Sequence, residues 1–154
     1  MTFKKIYILI LFLSITSLLG AIYIEYILQE KPCKLCLYQR VPFLIAVFIS
    51  FIGFNYFRND NILILIIVIF SLNLIISGYH FGIENNIFEE FSGCSNNSLG
   101  ITNKLELLKS LNNNTISCKE VDFRLFGISM AGMNFFLTIL LIIYSIRILV
   151  YEKN

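Results

Sequence analysis

The sequence predicts an all-α fold: an integral membrane four-helix bundle with a long outer loop carrying a short amphipathic helix. Three observations carry this expectation. The 154 residues are 57% hydrophobic and only 14% charged, whereas soluble domains are about 45–50% apolar and about 25% charged. The mean hydropathy is +0.78. Four stretches, Ile6–Leu28, Val41–Phe57, Ile62–Tyr79 and Gly127–Ile146, approach the roughly 20 apolar residues that cross a bilayer. With no water in the hydrocarbon to satisfy backbone groups, each stretch must close its own hydrogen bonds as a helix. A single membrane domain, 1–154, accounts for the chain, with outer loops at 29–40 and 80–126. No internal repeat or linker divides it.

The first span follows Lys4 and Lys5 and meets no charge until Glu25. Secretory signal cores are about 7–15 residues, so this run is too long for one. The stretch "SLLGA" is also a poor cleavage site, and the segment reads as an uncleaved span. The loop at 29–40 holds "KPCKLCLYQR" (31–40). Pro42 follows closely and disfavours a continuous helix there unless it falls in the first turn of span two. Spans two and three are joined by a short turn, Arg58–Asn61, which makes them antiparallel neighbours. The loop from 80 to 126 is rich in Asn, Ser and Gly around Cys94 and Cys118, composition that favours irregular backbone. Within it, "NKLELLKSL" (103–111) offers Asn103 and Glu106 as a cap-like start, with Leu105, Leu108 and Leu111 on one face. That is the amphipathic helix, lying on the membrane surface, against a partner, or over the loop's own apolar contacts. The glycosylation-type triplets at 96–98 and 113–115 are chance matches in so asparagine-rich a loop. Gly127, Ala131 and Gly132 open span four, where small residues let membrane helices approach closely.

Lys and Arg near the span ends orient the bundle. An even number of spans puts both termini on one side, with Lys4, Lys5, Arg58, Arg147 and Lys153; the other side carries Lys31, Lys34, Arg40, Lys104, Lys109, Lys119 and Arg124. The larger group is spread over longer loops, while the smaller crowds short segments, and the two lysines before span one dominate. Both termini are therefore expected in the cytoplasm. All four cysteines, Cys33, Cys36, Cys94 and Cys118, then fall on the outer face and outside the spans. On a bacterial outer face that environment is oxidising. Four cysteines admit three pairings, and spacing alone does not choose among them. The net charge of +2 singles out no partner, and no stretch suggests nucleic-acid binding.

A bridge from Cys94 to Cys118 would close a loop worth roughly 3–4 kcal/mol, against about 2 kcal/mol for one from Cys33 to Cys36. The CxxC bridge is thus a poor staple, and its usual uses are redox exchange and metal binding. A metal would need four ligands, such as Cys33, Cys36, His80 (the only histidine) and a loop cysteine. That pattern is thin, and no metal is expected. Redox use has better support. Positive neighbours and a helix N-terminus both favour a thiolate, and Lys31, Lys34 and Arg40 surround the pair. Pro32 suits a helix start. In a helix, Cys36 and Arg40 would share a face. One cysteine pair exchanges electrons only with another, and a second pair on the same side makes a relay. A relay in a membrane suggests a lipid-soluble acceptor. Arg40 and His80, near the membrane edge, are candidates for binding it, although an Arg at a helix end can also simply snorkel.

"KPCKLCLYQR" resembles the Pro-Cys-x-x-Cys-x-Tyr-x-Arg motif of the DsbB family, the quinone-linked disulfide oxidases of the bacterial inner membrane. "GYHFGIE" (78–84) is similar to the family's segment at the end of span three. "CKEVDFRLFGISMAGMN" (118–134) resembles its second loop cysteine leading into span four. The likeness covers essentially the whole chain. It implies a thiol:quinone oxidoreductase that re-oxidises a DsbA-like thioredoxin-fold partner and feeds the respiratory chain indirectly. Under that resemblance, Cys94 engages the partner and Cys118 is its companion. Electrons pass to Cys33 and Cys36 through a transient Cys33–Cys118 bridge. Cys36 as thiolate donates to a membrane quinone, ubiquinone or menaquinone, which Arg40 and His80 hold, and Glu84 is a candidate for moving protons. The expected location is the inner membrane, with the cysteines periplasmic. A DsbA-like pair near about −120 mV needs an acceptor more oxidising than glutathione, which a quinone is. The chain departs from the family at Phe123 and Met133, where tryptophans are common; it has none.

Two other readings compete. The vitamin K epoxide reductase family also has four helices and uses a quinone, but its CxxC follows the loop cysteines, whereas here it precedes them. A non-catalytic membrane protein with two structural disulfides would keep both bridges under mild reductant and would not need Arg40.

Overall fold

The computed structural model describes residues 2–55, 60–90, 117–119, 124–125 and 127–153. Among them, four long helices make up most of the structure: α1 (Thr2–Tyr26), α2 (Lys34–Asn55), α3 (Asp60–Glu84) and α4 (Met130–Lys153). All four are long and apolar enough to cross a membrane. Their outward faces carry Phe12, Phe48, Ile75 and Leu140, each more than 60% exposed. Water would not tolerate so continuous an apolar surface; hydrocarbon does.

The helices pack in sequence order, α1 on α2, α2 on α3 and α3 on α4, while α1 and α4 meet only lightly. That weak seam matters because a cavity opens along it. Toward one end the core is closed by Ile6, Tyr7, Ile10, Phe43, Ala46, Leu63, Ile66 and Phe70. Gly53 allows this closure: a Cβ there would lie 2.7 Å from the Tyr7 ring. Toward the other end, Cys33, Leu35, Ile83 and Cys118 form a second buried cluster.

The helices outrun the expected spans at the ends that matter. Residues 34–40 were expected in a loop, with every cysteine outside the spans; instead α2 starts at Lys34 and carries Cys36 and Arg40 in helical register. Pro42 lies inside α2 without breaking it. A proline removes one backbone bond, a loss that membrane helices tolerate where neighbouring groups make it good. Pro32 sits before the helix and not at its first position. α3 continues past Tyr79 to Glu84, so His80 and Glu84 are helical too. Span four begins later than Gly127. Two short antiparallel strands, β1 (Arg124–Leu125) and β2 (Ile128–Ser129), precede α4. Gly127 turns between them at φ 82°, a left-handed conformation that costs glycine nothing sterically. The expected amphipathic helix at 103–111, Arg58 and Asn59 of the expected turn, Cys94 and Phe123 lie outside the described residues, while Asp60 and Asn61 already belong to α3.

Candidate active site

Cys33 is the residue that caps α2. Its carbonyl accepts the first helical bond, from Leu37 N at 3.2 Å. Its Sγ accepts the N–H of Cys36, also at 3.2 Å. This is the geometry of a serine or aspartate N-cap with sulfur in place of oxygen. The first N–H groups of a helix have no internal partner, and the helix dipole adds positive potential there. His80 Nε2 lies 3.5 Å from the same sulfur. The Cys33 thiol is held down to about 5, chiefly by the hydrogen bond from the Cys36 side chain and then by His80, with burial working the other way. The lysines expected to favour the thiolate are thus not the groups in contact with it. The stabilised sulfur is that of Cys33, not that of Cys36.

His80 is 2% exposed, and both its ring nitrogens are engaged. Nε2 faces Cys33, and Nδ1 lies 2.9 Å from Gln39 Nε2. Glu84, one turn along α3, brings a carboxylate oxygen to 3.6 Å from Nε2. Glu84 also accepts the Ser129 hydroxyl, and Ser129 Oγ in turn accepts Gly132 N–H at 3.1 Å. The end of α3 is thereby tied to the start of α4. The backbone of Cys118 lies against His80.

Cys33 and Cys36 carry free thiols, whereas Cys118 is held in a disulfide and packs in the same buried cluster as Cys33. The Sγ atoms of Cys33 and Cys36 and a ring nitrogen of His80 lie within 4.8 Å of one another. A closed metal site would need a fourth donor, and the disulfide removes Cys118 from that role.

The cavity in the α1–α4 seam measures about 760 Å³ and is lined by apolar residues of α1 and α4, with Cys33, Cys36, Gln39, Arg40, His80 and Glu84 at one side. Met133, a position of departure from the family pattern, also lines it. Arg40 reaches in from α2 and its guanidinium lies 2.5 Å from the Glu25 carboxylate of α1. Cys36 and Arg40, one turn apart, both border the cavity as their spacing suggested. A large apolar cleft with a few convergent polar groups suits a flat apolar ring bearing carbonyl oxygens, so the residues present fit a quinone.

Sequence reasoning passed over Glu25, Gln39 and Asn134. Glu25 had a signal: an acid near the end of an apolar run needs a partner at its own depth, and Arg40 is one of two basic residues of the next helix. Gln39 and Asn134 had none, because a lone amide in an apolar helix reads the same whether or not it points at a site.

Comparison with known proteins points to one family. The family model described as "Disulfide bond formation protein DsbB" matches residues 3–148. An uncharacterized protein of Rickettsia prowazekii is 31% identical, covering 99% of this chain and 91% of its own length. Disulfide bond formation protein B of Marinobacter nauticus is 26% identical, over 97% and 93%. A probable disulfide formation protein C of Halalkalibacterium halodurans is 38% identical over a shorter stretch, 46% of this chain and 51% of its own.

Proposed function

Since the chain belongs to the DsbB family of disulfide bond formation proteins and is a multi-pass membrane protein, we propose that it is a thiol:quinone oxidoreductase that re-oxidises a DsbA-like thioredoxin-fold partner. One observation carries this reading. A free dithiol, Cys33 and Cys36, packs against a disulfide-bonded Cys118 beside an apolar cavity edged by Arg40. In this scheme the bundle lies in the bacterial inner membrane, both termini are cytoplasmic and the cysteines are periplasmic.

The electron path runs as three exchanges. The reduced partner's thiolate attacks the Cys94–Cys118 disulfide, and its second thiol closes the partner's own disulfide, leaving Cys94 and Cys118 as thiols. Cys118 then opens the Cys33–Cys36 disulfide at Cys33, and Cys94 displaces Cys33 to restore the Cys94–Cys118 bond. Cys33 and Cys36 now hold the two electrons as thiols. Last, the S–S bond between Cys33 and Cys36 re-forms, and two electrons and two protons leave. A bound membrane quinone, ubiquinone or menaquinone, supplies the two-electron acceptor. Arg40 would hold it by charge, and His80, whose ring nitrogens face Cys33 and Gln39, would border it. Cys36, on the cavity side of α2 with Arg40, is the sulfur from which electrons leave, and Cys33, already a thiolate, is the one that attacks Cys36 to reclose the pair. Glu84, beside His80, is positioned to take protons.

The test is direct. The purified protein in detergent is given a reduced thioredoxin-fold oxidase, with and without quinone, and the partner's thiol loss is followed. Quinone-dependent oxidation, abolished in Cys36→Ser and weakened in Arg40→Ala, is the expected result. No quinone dependence with any candidate partner, while bridges persist in mild reductant, would overturn it in favour of structural disulfides.

A further inference from the structure

A line of buried amides runs from the middle of the bundle to the reactive sulfur, and its members come from three helices. Asn73 of α3 donates its Nδ2 to Asn134 Oδ1 of α4 at 3.2 Å and to Thr138 Oγ1 at 2.9 Å. Thr138 Oγ1 also reaches Asn134 Oδ1 at 3.2 Å. Asn134 Nδ2 donates to Gln39 Oε1 of α2 at 2.6 Å. Gln39 Nε2 meets His80 Nδ1 at 2.9 Å, and His80 Nε2 meets Cys33 Sγ at 3.5 Å. Asn73, Gln39, Thr138 and His80 are all buried. Taking so many polar groups out of water is costly unless they pair, and nothing about spanning a membrane requires them here.

The chain has a direction. A carboxamide presents a donor at one end and an acceptor at the other, so orienting one member orients the next. The direction is set at the sulfur. Cys33 Sγ accepts the Cys36 N–H, and as a thiolate it can only accept. The imidazole nitrogen facing it must therefore carry a proton. In the neutral ring the other nitrogen, Nδ1, is then an acceptor. It must meet the NH₂ end of Gln39, whose oxygen turns toward Asn134 Nδ2; Asn134's oxygen turns in turn toward Asn73 and Thr138. Each observed contact has this polarity. Asn73 Oδ1, at the far end, is buried with no hydrogen-bond partner among the described residues, which marks where the line stops.

We propose that Gln39, anchored by Asn134 and Asn73, is a positioning residue that locks His80 as the Nε2–H tautomer and aims that proton at Cys33 Sγ. The inference gives meaning to the thiol chemistry proposed above and rests on it for that meaning, yet the tautomer can be read without any turnover. Which nitrogen of a histidine acts is commonly set by the bond the other one makes. The titratable and charged groups facing this region are Cys36 and Arg40 of α2, His80 and Glu84 of α3, Glu25 of α1, and Lys31 in the connector. Of these, Glu84 lies 3.6 Å from Nε2, whereas the side chain at Nδ1 is that of Gln39; the backbone of Cys118 also lies against the ring.

His80 is the only histidine in the chain, so selective ¹⁵N-histidine labelling of the full-length, reduced protein in detergent gives one signal per ring nitrogen. The spectrum is taken on the alkaline side of the imidazole titration. A protonated Nε2 and a bare Nδ1 are expected in the wild type. In Gln39→Leu the two shifts should move toward each other as the tautomers mix. Asn134→Leu, at a residue whose hydrogen bonds run to Gln39, Asn73 and Thr138, should shift them the same way by less, and it serves if Gln39→Leu fails to fold. Cys33 alkylation against pH is the second readout. Lys34 separates the two cysteines, so tryptic peptides report each one alone. The Cys33 midpoint should rise in both variants, making alkylation in mildly acid solution about tenfold slower in Gln39→Leu, the factor that one pH unit represents. An Nδ1–H tautomer in the wild type, or ring shifts indifferent to both substitutions, overturns the proposal. If quinone-dependent turnover is missing but the shifts behave as described, the oxidase reading fails and the positioning role stands.

Discussion

The guanidinium of Arg40 and the carboxylate of Glu25 meet at 2.5 Å at the edge of the cavity, joining α2 to α1. Each side chain is about a quarter exposed, 25% and 26%, so neither is fully solvated. In so apolar a setting the pair is better viewed as a tether for Arg40 than as a source of stability.

Breaking one side of that pair leaves a charge without its counterion, which costs more than removing both. Arg40→Gln and Glu25→Gln should each lower the thermal stability of the detergent-solubilised protein, and the double variant should lie above the less stable single one. Kinetically, Glu25→Gln frees Arg40 and should change KM for quinone by several-fold with a smaller effect on kcat. A double-mutant cycle on melting temperature checks the first expectation. Strict additivity there would mean the two groups do not interact.

The depressed Cys33 thiol, held at about 5, ties stability to pH in the reduced protein only. Its folded value lies below the ordinary thiol range, near 8.5. The stabilisation is therefore complete above about pH 8.5, shrinks as pH falls from there toward 5, and is gone below. Melting curves of the reduced protein should lose stability over that window relative to the oxidised protein, in which Cys33 does not titrate. Matching slopes for the two forms would show that the cap and His80 do not favour the thiolate.

Gly53 offers a test of packing far from the chemistry. A Cβ would press on the Tyr7 ring at 2.7 Å, and both groups belong to tightly packed helices. Gly53→Ala should cost about 1–3 kcal/mol through overpacking, read as a lower melting temperature with KM unchanged. An equally stable variant would mean that α1 can shift to make room.

Ser129 holds two elements at once, donating to Glu84 and accepting the Gly132 N–H at the start of α4. Ser129→Ala should lose about 1 kcal/mol, the usual worth of a helix cap. It should also slow thiol oxidation at neutral pH by freeing Glu84 from its set position. Ser129→Thr, which keeps the hydroxyl, should restore both.

Much of the molecule was legible before any coordinate. Four spans follow from apolar length, because the bilayer core leaves the backbone no other way to satisfy itself. Cys33 and Cys36 were singled out as a candidate redox pair, and Arg40 and His80 because ionisable groups at membrane depth are rarely idle; all four line one cavity. The helix limits were misjudged at Lys34–Arg40 and at His80–Glu84. Hydropathy stops where polar residues begin, whereas a helix stops where its hydrogen bonds do.

The amino-acid sequence by itself determined the class of fold, the membrane setting and the residue types available for electron transfer, since these depend on composition, local spacing and the solvent the chain must satisfy. Tertiary structure alone decided that the Cys33 thiol is the one held down, that Arg40 answers to Glu25, and that Gln39 faces the second nitrogen of His80. Those outcomes depend on atoms from α1, α2, α3 and α4 coming within 4 Å of one another, and a distance across a bundle is not a property of any stretch of chain.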